Sequence, residues 1–255
     1  MKNKKLVAII PASSILLERF GGGMSRLCGH PMFLYSVWYA MNEGYVPVVV
    51  SDNDEVLDCA KCFLADTVRC DGDTDLFGCI GGVLGEDVYG DCELFALLQP
   101  TLPIRDPGLL REMTGLFIGS GSSDTSCVFT ATGVNLLGSM VYRYTGEDTK
   151  PNEFYDAYNA DNAEKRFEAF NGNIVVFSRE AFEKTGNPFN NGEGVHVYDT
   201  TITQATSICI RLVEDLAIAE GILCHPMMHD YNPVNNLPNE YRYRFLWHRL
   251  TPIHA

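Results

Sequence analysis

Hydrophobic residues along the chain follow two alternating patterns: continuous apolar runs, and longer stretches in which they recur at helical spacing. A short continuous run is typical of a strand covered on both faces, whereas helical spacing is typical of a helix that packs by one side. The runs predict strands at 6–12, 45–51, 66–70, 92–99, 127–132, 173–178 and 196–201. The periodic stretches predict helices at 31–42, 52–64, 73–84 and 213–223, with others starting at Asp106 and shortly after residue 178.

The alternation of strands and helices predicts an α/β fold with a doubly wound, mostly parallel, Rossmann-like sheet. Two helix starts carry specific predictions. Asp52 is expected to cap the helix at 52–64, and Asp106-Pro107 is expected to place proline at the first position of the next helix.

Two stretches do not follow either pattern. The polar, Tyr- and Asn-rich residues 141–166 have little periodicity, and the segment 225–255 contains Pro, Asn and aromatic residues without a clear period. We therefore predict one domain over 1–255. Within it, 141–170 would form an excursion arm for dimerisation or for covering a site, and 225–255 would form a packing tail.

Composition and net charge limit the ligands and partners that we expect for this protein. Of the 255 residues, 46% are hydrophobic, which is enough to bury a core. The formal net charge is −14, so that the protein should repel nucleic acid and anionic lipid. A small anionic ligand would need local positive charge. The apolar run after the N-terminal lysines is too short for a signal-peptide core, and nine scattered cysteines fit reduced thiols. These features predict a cytoplasmic protein without a membrane or nucleic-acid partner.

Several motifs occur in a characteristic order. They are Ile-Ile-Pro-Ala at 9–12, Leu-Cys-Gly-His-Pro-Met at 27–32, Val-Ser-Asp-Asn-Asp-Glu at 50–55, Leu-Gln-Pro-Thr-Leu-Pro-Ile-Arg at 98–105, Phe-Asn-Gly-Asn-Ile at 170–174 and Glu-Asp-Leu at 214–216. This order resembles the CMP–acidic-sugar synthetases, the cytidylyltransferases that activate sialic acid, Kdo and related sugars. The resemblance implies a nucleotide-diphospho-sugar transferase type of fold, transfer of CMP from CTP to an acidic sugar, and a homodimer.

The resemblance also implies two groups of site residues. Gln99 and Asn171 would orient the sugar together with Thr101, and Arg105 would bind the sugar carboxylate. The implied nucleotide-binding residues are Pro11, Ala12, Ser13, Gly21, Gly22, Gly23 and Asp52.

The phosphate loop departs from the family pattern. Relatives have a lysine- and arginine-rich loop after Ile-Pro-Ala, whereas residues 13–23 retain one cation, Arg19, and three glycines. A glycine run can bind phosphate through its backbone N–H groups, or it can be a flexible turn. His30, which replaces a family lysine, is either a phosphate contact or an ordinary turn residue.

The metal motif departs as well. Where relatives have Ser-Ile-Asp-Ile-Asp, this chain has Ser-Ile-Cys-Ile-Arg at 207–211, and a thiol and a guanidinium offer magnesium no hard oxygen ligand. Magnesium stays a candidate cofactor, but both expected aspartates are missing and no metal ligand is assigned. Arg211 and Arg19 are the predicted catalytic cations, although Arg211 could equally be a surface residue. Asp199 and Asp215 are alternative metal ligands, but each is more typical of a cap or a solvated carboxylate.

Three functions remain open from the sequence. The first is an active divergent nucleotidyltransferase that binds a nucleotide and a small acidic sugar, and the second is a catalytically silent relative that acts as a binding or assembly subunit. The third is a glycosyltransferase, for which Asp-x-Asp triplets at 52–54 and 71–73 have the required spacing.

Overall fold

A seven-stranded sheet with the order β5-β4-β1-β6-β8-β7-β9 runs through the part of the chain that the computed structural model describes. The described residues are 6–18, 22–119, 127–134, 167–187, 195–199 and 208–236. Only β8 is antiparallel to its neighbours in this sheet. The strands are β1 (Val7–Pro11), β2 (Arg26–Leu27), β3 (His30–Pro31), β4 (Val46–Ser51), β5 (Asp66–Arg69), β6 (Leu94–Leu97), β7 (Cys127–Val134), β8 (Phe167–Ser178) and β9 (Val195–Asp199), of which β2 and β3 form a separate hairpin.

Helices cover both faces of the sheet, which confirms the doubly wound, mostly parallel α/β fold. They are α1 (Ser14–Leu17), α2 (Phe33–Asn42), α3 (Asp54–Cys62), α4 (Leu76–Leu84), α5 (Leu109–Gly119), α6 (Arg179–Thr185) and α7 (Val213–Leu223). Residues of α2, α3, α5 and α7 belong to one buried cluster, whereas residues of α4 and α6 belong to the other.

The central strands supply side chains to both clusters in alternation. In β1, Ala8 and Ile10 face the first cluster while Val7 and Ile9 face the second, and all four are fully buried. Such two-sided burial explains why the strand is a continuous apolar run in the sequence.

Two predicted helix starts are wrong. Asn53, rather than Asp52, caps α3, since its side chain accepts a hydrogen bond from the Glu55 N–H at 2.8 Å. Proline does not open α5, because Gly108 has a φ of +85° and its N–H donates to Glu43 Oε1 at 2.7 Å, so that the helix begins at Leu109. Capping rules that use only neighbouring residues could not predict this contact, because Glu43 and Gly108 are 65 positions apart in the sequence.

The predicted excursion at 141–166 lies outside the described residues. Of the predicted tail, the part up to residue 236 forms two short 3₁₀ turns, Pro226–Tyr231 and Pro233–Asn236. The second turn touches α2, where the Asn42 side chain donates to the Pro233 carbonyl at 3.0 Å. Among the described helices, none has the length and apolar character needed to span a bilayer.

Candidate functional site

The carboxyl ends of β1, β4, β5 and β6 meet at one edge of the sheet because these strands are parallel. From β1 the chain moves to β4 and then β5 on one side, and it returns across β1 to reach β6 on the other side. The loops after β1 and β6 therefore leave the sheet at a reversal of strand order, which is where open α/β sheets bind ligands.

Three hydrogen bonds connect the loop after β1 to the end of β4. The Ala12 N–H donates to the Val50 carbonyl at 2.8 Å, and the Ser51 hydroxyl donates to the Ala12 carbonyl at 2.8 Å. Two residues after Ala12, the Ser14 N–H donates to the carboxylate of Asp52 at 2.6 Å. The structure thus brings together the predicted nucleotide-binding residues at the ends of these two strands.

Ser13 lies inside this connection. Its side chain is fully buried, and its hydroxyl donates to the Thr74 carbonyl at 3.3 Å, which ties the loop after β1 to the loop after β5. Ser13 therefore faces the protein interior, and its hydroxyl serves to connect the two loops.

The described glycines of the predicted phosphate loop have defined positions. Gly22 has a φ of +92°, and its carbonyl accepts hydrogen bonds from the Ser25 N–H at 3.1 Å and the Ser25 hydroxyl at 2.8 Å. A Cβ atom on Gly23 would lie 2.5 Å from Val56 Cγ2 and 3.3 Å from the Ala12 carbonyl oxygen. Glycine is thus required at position 23 by close packing against β1 and α3. The predicted residues Arg19 and Gly21 lie outside the described residues.

Asp52 is an ionised group at this edge. Burial raises the pKa of its carboxyl, but the hydrogen bonds from Ser14 and the charge of Arg69 outweigh burial, so that the pKa lies below its usual value. Arg69, at the end of β5, donates to the Asp52 carbonyl at 3.0 Å and forms an ion pair with Asp54.

Sequence reasoning missed Arg69 as a site residue. Its side chain is 54% exposed at the carboxyl edge, so that it could meet an anionic ligand. The sequence feature that could have identified Arg69 is a cation near the end of the strand predicted at 66–70.

Arg105 is an interior residue with 1% exposure. Its guanidinium donates to the carbonyls of Asn173 at 3.1 Å and Gln99 at 2.8 Å and to the Ser36 hydroxyl at 3.1 Å, and it lies 5.5 Å from the centroid of the Tyr39 ring. Burial lowers its pKa to about 10, so that it remains charged at neutral pH. This geometry argues against the predicted contact with a sugar carboxylate and makes Arg105 a support of the loop after β6.

The predicted sugar-binding residue Asn171 lies in β8, although its side chain is outside the described part of the chain. Two residues later, the Asn173 side chain donates to the Ile104 carbonyl at 2.9 Å. This segment of β8 therefore lies beside Ile104, which belongs to the loop that carries Gln99 and Thr101.

Arg211 lies next to the same loop, since the neighbouring Ile210 N–H donates to the Thr101 carbonyl at 2.8 Å. The Arg211 side chain is exposed, and Gln99 and Thr101 are half-buried. The structure therefore brings the predicted catalytic cation into the neighbourhood of two predicted substrate-binding residues.

Among the side chains that the structure describes, those at the expected metal position do not fit a magnesium ion of the kind that the family resemblance implies. Cys209 and Arg211 supply no hard oxygen, and Asp215 Oδ2 accepts the N–H groups of Arg211 at 2.8 Å and Leu212 at 2.9 Å. Asp215 is thus a cap of α7. Within the described ranges, no group of three or more His, Cys, Asp or Glu residues could hold a metal ion.

The remaining candidates have structural partners. The His30 ring packs against the Trp38 ring in a T-shaped arrangement, with ring centroids 5.6 Å apart. In the triplet at 52–54, Asn53 caps α3 while its two aspartates contact Ser14 and Arg69. These contacts weaken the case for a metal at the 52–54 triplet, which is one of the two triplets on which the glycosyltransferase alternative depends.

Comparisons with known proteins agree with the fold. No protein-family model and no curated protein matches the chain. Among solved structures, the CMP:2-keto-3-deoxy-manno-octonic acid synthetase complexed with CTP is similar, with a TM-score of 0.64 and 14% identity over 86% of this chain and 98% of the other. The 4-diphosphocytidyl-2C-methyl-D-erythritol synthase from Anaerococcus prevotii has a TM-score of 0.60 and 16% identity over 87% of this chain and 99% of its own. The chain therefore shares its fold with structures of these two enzymes.

Proposed function

We propose that the protein is a nucleotidyltransferase-like protein that binds CTP at the carboxyl edge of β1, β4 and β6 and transfers CMP to a small acidic sugar. The observation that carries the proposal is the loop after β1, which three hydrogen bonds connect to the end of β4 and to Asp52 directly after it. This loop lies at the reversal of strand order. The likeness of the fold to a synthetase that was solved with CTP supports the choice of nucleotide.

The proposed nucleotide site uses mainly backbone groups. The segment Pro11–Ser13 and the glycines at positions 21–23 would surround the phosphates, while Asp52 keeps the first segment in place through Ser14. Backbone N–H groups can bind phosphate without a lysine when glycines allow close approach. Gly23 packs against Val56 of α3 and the Ala12 carbonyl oxygen, which holds the glycine segment beside the end of β1.

The proposed reaction is attack of the sugar hydroxyl on the α-phosphate of CTP, with pyrophosphate as the leaving group. This transition state requires in-line positioning and neutralisation of charge on the phosphate oxygens. Arg211, Arg69 and Arg19 are the proposed cations, since guanidinium groups bind phosphate in a bidentate manner. Gln99, Thr101 and Asn171 would orient the sugar. A homodimer is part of the proposal.

A catalytically silent relative is the second candidate, and two observations favour it. The Ser14 N–H, which would otherwise be available to a phosphate, already donates to the Asp52 carboxylate. The edge also carries the acidic side chains of Asp54, Asp71 and Asp73, which would repel a triphosphate. Such a protein would keep the fold as a binding or assembly subunit.

Pyrophosphate release from CTP in the presence of sialic acid, Kdo and other acidic sugars separates the two candidates. We expect Arg211→Ala to lower kcat/KM about ten- to a hundredfold, because it removes one charge-assisted contact. Lys61→Ala is the matched control, since Lys61 is an exposed cation at the far end of α3, and it should leave the rate unchanged. Binding of CTP without pyrophosphate release for any sugar would establish the silent relative and exclude the transferase.

A further inference from the structure

Two cysteines that are 196 positions apart in the sequence face each other in the structure. The sulfur atoms of Cys28 and Cys224 lie 3.5 Å apart. Cys28 is at the tip of the β2–β3 hairpin and is half-buried, whereas Cys224 directly follows α7 and is exposed. Neither residue belongs to the proposed nucleotide or sugar site.

The backbone fixes the position of Cys28. Cys28 and Gly29 form the two-residue turn of the hairpin, and both have positive φ values, +48° and +83°, as the tightest hairpin turns require. The Cys28 N–H donates to Glu220 Oε1 at 2.8 Å, one helical turn before Cys224. The approach of the two sulfurs therefore results from a defined contact between the hairpin and α7.

We propose that Cys28 and Cys224 are a reversible disulfide site that covalently links the β2–β3 hairpin to the end of α7. A disulfide has an S–S distance of about 2.05 Å, so that the sulfurs would have to approach by roughly 1.5 Å. The exposed position of Cys224 and the turn at the tip of the hairpin allow a movement of this size. The inference does not depend on the proposed nucleotide function.

The oxidant that we propose is a peroxide. The Cys224 thiol gives up its proton, its sulfur attacks one oxygen of hydrogen peroxide, and the O–O bond breaks. The proton from the thiol goes to the hydroxide that leaves, so that Cys224 sulfenic acid and water result. The Cys28 sulfur then attacks the Cys224 sulfur, the S–O bond breaks, and the hydroxyl leaves as a second water with the proton from Cys28. The two thiols are oxidised by two electrons in total, and the peroxide is reduced to two molecules of water.

The surroundings of the pair assign the two roles. Burial raises the pKa of the Cys28 thiol to about 12, and the hydrogen bond with Cys224 and the charges of Cys224 and Glu220 act in the same direction. Cys28 therefore stays protonated at neutral pH and is a poor first target for peroxide, whereas the exposed Cys224 meets the oxidant directly. Cys28 acts as the resolving thiol because it is already held against Cys224.

Peptide mapping under non-reducing conditions tests the proposal on the full chain after treatment with hydrogen peroxide. We expect a cross-linked peptide that contains Cys28 and Cys224 in the wild type and in Cys62→Ser, a control that removes an exposed cysteine of α3. The same peptide should be absent from Cys28→Ser and Cys224→Ser. The melting temperature of the wild type and of the control should rise by about 5–10 °C on oxidation and return with dithiothreitol.

The result that would overturn the proposal is oxidation of Cys224 to sulfinic acid while Cys28 stays free, or a cross-link between other cysteines. Serine keeps the size of the side chain and its ability to donate a hydrogen bond, so that the reduced variants should melt as the reduced wild type does. If either variant does not fold, the wild-type peptide map alone decides the question.

Discussion

The carboxylate of Asp52 accepts a hydrogen bond from the backbone N–H of Ser14 at a distance of 2.6 Å. This contact connects the residue after β4 to the first turn after β1, across the edge where the proposed nucleotide lies. An acidic side chain thus holds in place the loop that would bind an acidic ligand. The hydrogen bond stabilises the loop, and the carboxylate adds negative charge beside it.

Replacement of Asp52 should reveal its contribution to stability. Asp52→Ala should lower the free energy of unfolding by about 0.5–1 kcal/mol at neutral pH, a value reduced for partial exposure, whereas Asp52→Asn retains an acceptor and should cost less. The folded-state pKa of Asp52 is depressed, so that its stabilisation is present above the unfolded pKa near 4 and is lost as the pH falls through the folded pKa. Urea unfolding of wild type and Asp52→Ala from pH 7 to pH 3 measures this.

The difference in the free energy of unfolding between wild type and Asp52→Ala should be constant above about pH 5 and should shrink below about pH 4. A difference that grows on acidification would contradict the assigned hydrogen bond.

Close packing at Gly23 predicts a strong effect of a single methyl group. Gly23→Ala should lower the free energy of unfolding by about 1–3 kcal/mol because the new Cβ would overlap Val56 Cγ2. The double variant Gly23→Ala with Val56→Ala should lose less free energy of unfolding than the two single variants lose together, since the smaller side chain at position 56 makes room for the new methyl group. Chemical denaturation of the four proteins gives the coupling energy.

Gly115→Ala is the matched control for this experiment. Gly115 lies within α5 with open space at its Cβ position, and alanine there should raise stability by about 0.5–1 kcal/mol. Additive losses at positions 23 and 56 would show that the two residues do not touch.

The buried Arg105 predicts a defect in stability rather than in substrate affinity. Arg105→Ala should lower the free energy of unfolding by about 3–5 kcal/mol, because it leaves the buried carbonyls of Gln99 and Asn173 without their donor. Arg105→Lys should also destabilise, since an ammonium group cannot reproduce the fork of contacts to three acceptors. Thermal and urea unfolding measure both variants.

A direct role of Arg105 in binding a sugar carboxylate would give a different result. Arg105→Lys would then unfold as the wild type does, while its KM for the sugar would rise.

The central strands could be predicted from sequence because their physical cause is local. β1 was predicted at 6–12 and is observed at Val7–Pro11, since residues that alternate between two buried clusters must all be apolar. β8 was predicted at 173–178 but begins at Phe167. The predicted range 173–178 contains the residues of β8 that pair with β6. The first part of β8, from Phe167, pairs only with β7 and has no continuous apolar run.

The roles of polar side chains could be predicted only in part. Motif order led to Ala12 and Asp52, which the structure does bring together at one edge. It also led to Arg105, whose partner Asn173 is 68 positions away. Whether a cation meets a ligand or an internal carbonyl depends on such distant contacts, and no local pattern encodes them.

Isothermal titration of the purified protein with CTP, with magnesium and with a chelator, tests the central claim most directly. We expect saturable binding that magnesium changes less than about threefold, since the expected aspartate ligands are replaced by Cys209 and Arg211. Arg211→Ala should weaken the binding about tenfold, and Lys61→Ala should leave it unchanged. The absence of CTP binding by the folded protein, with and without magnesium, would contradict the proposed nucleotide site.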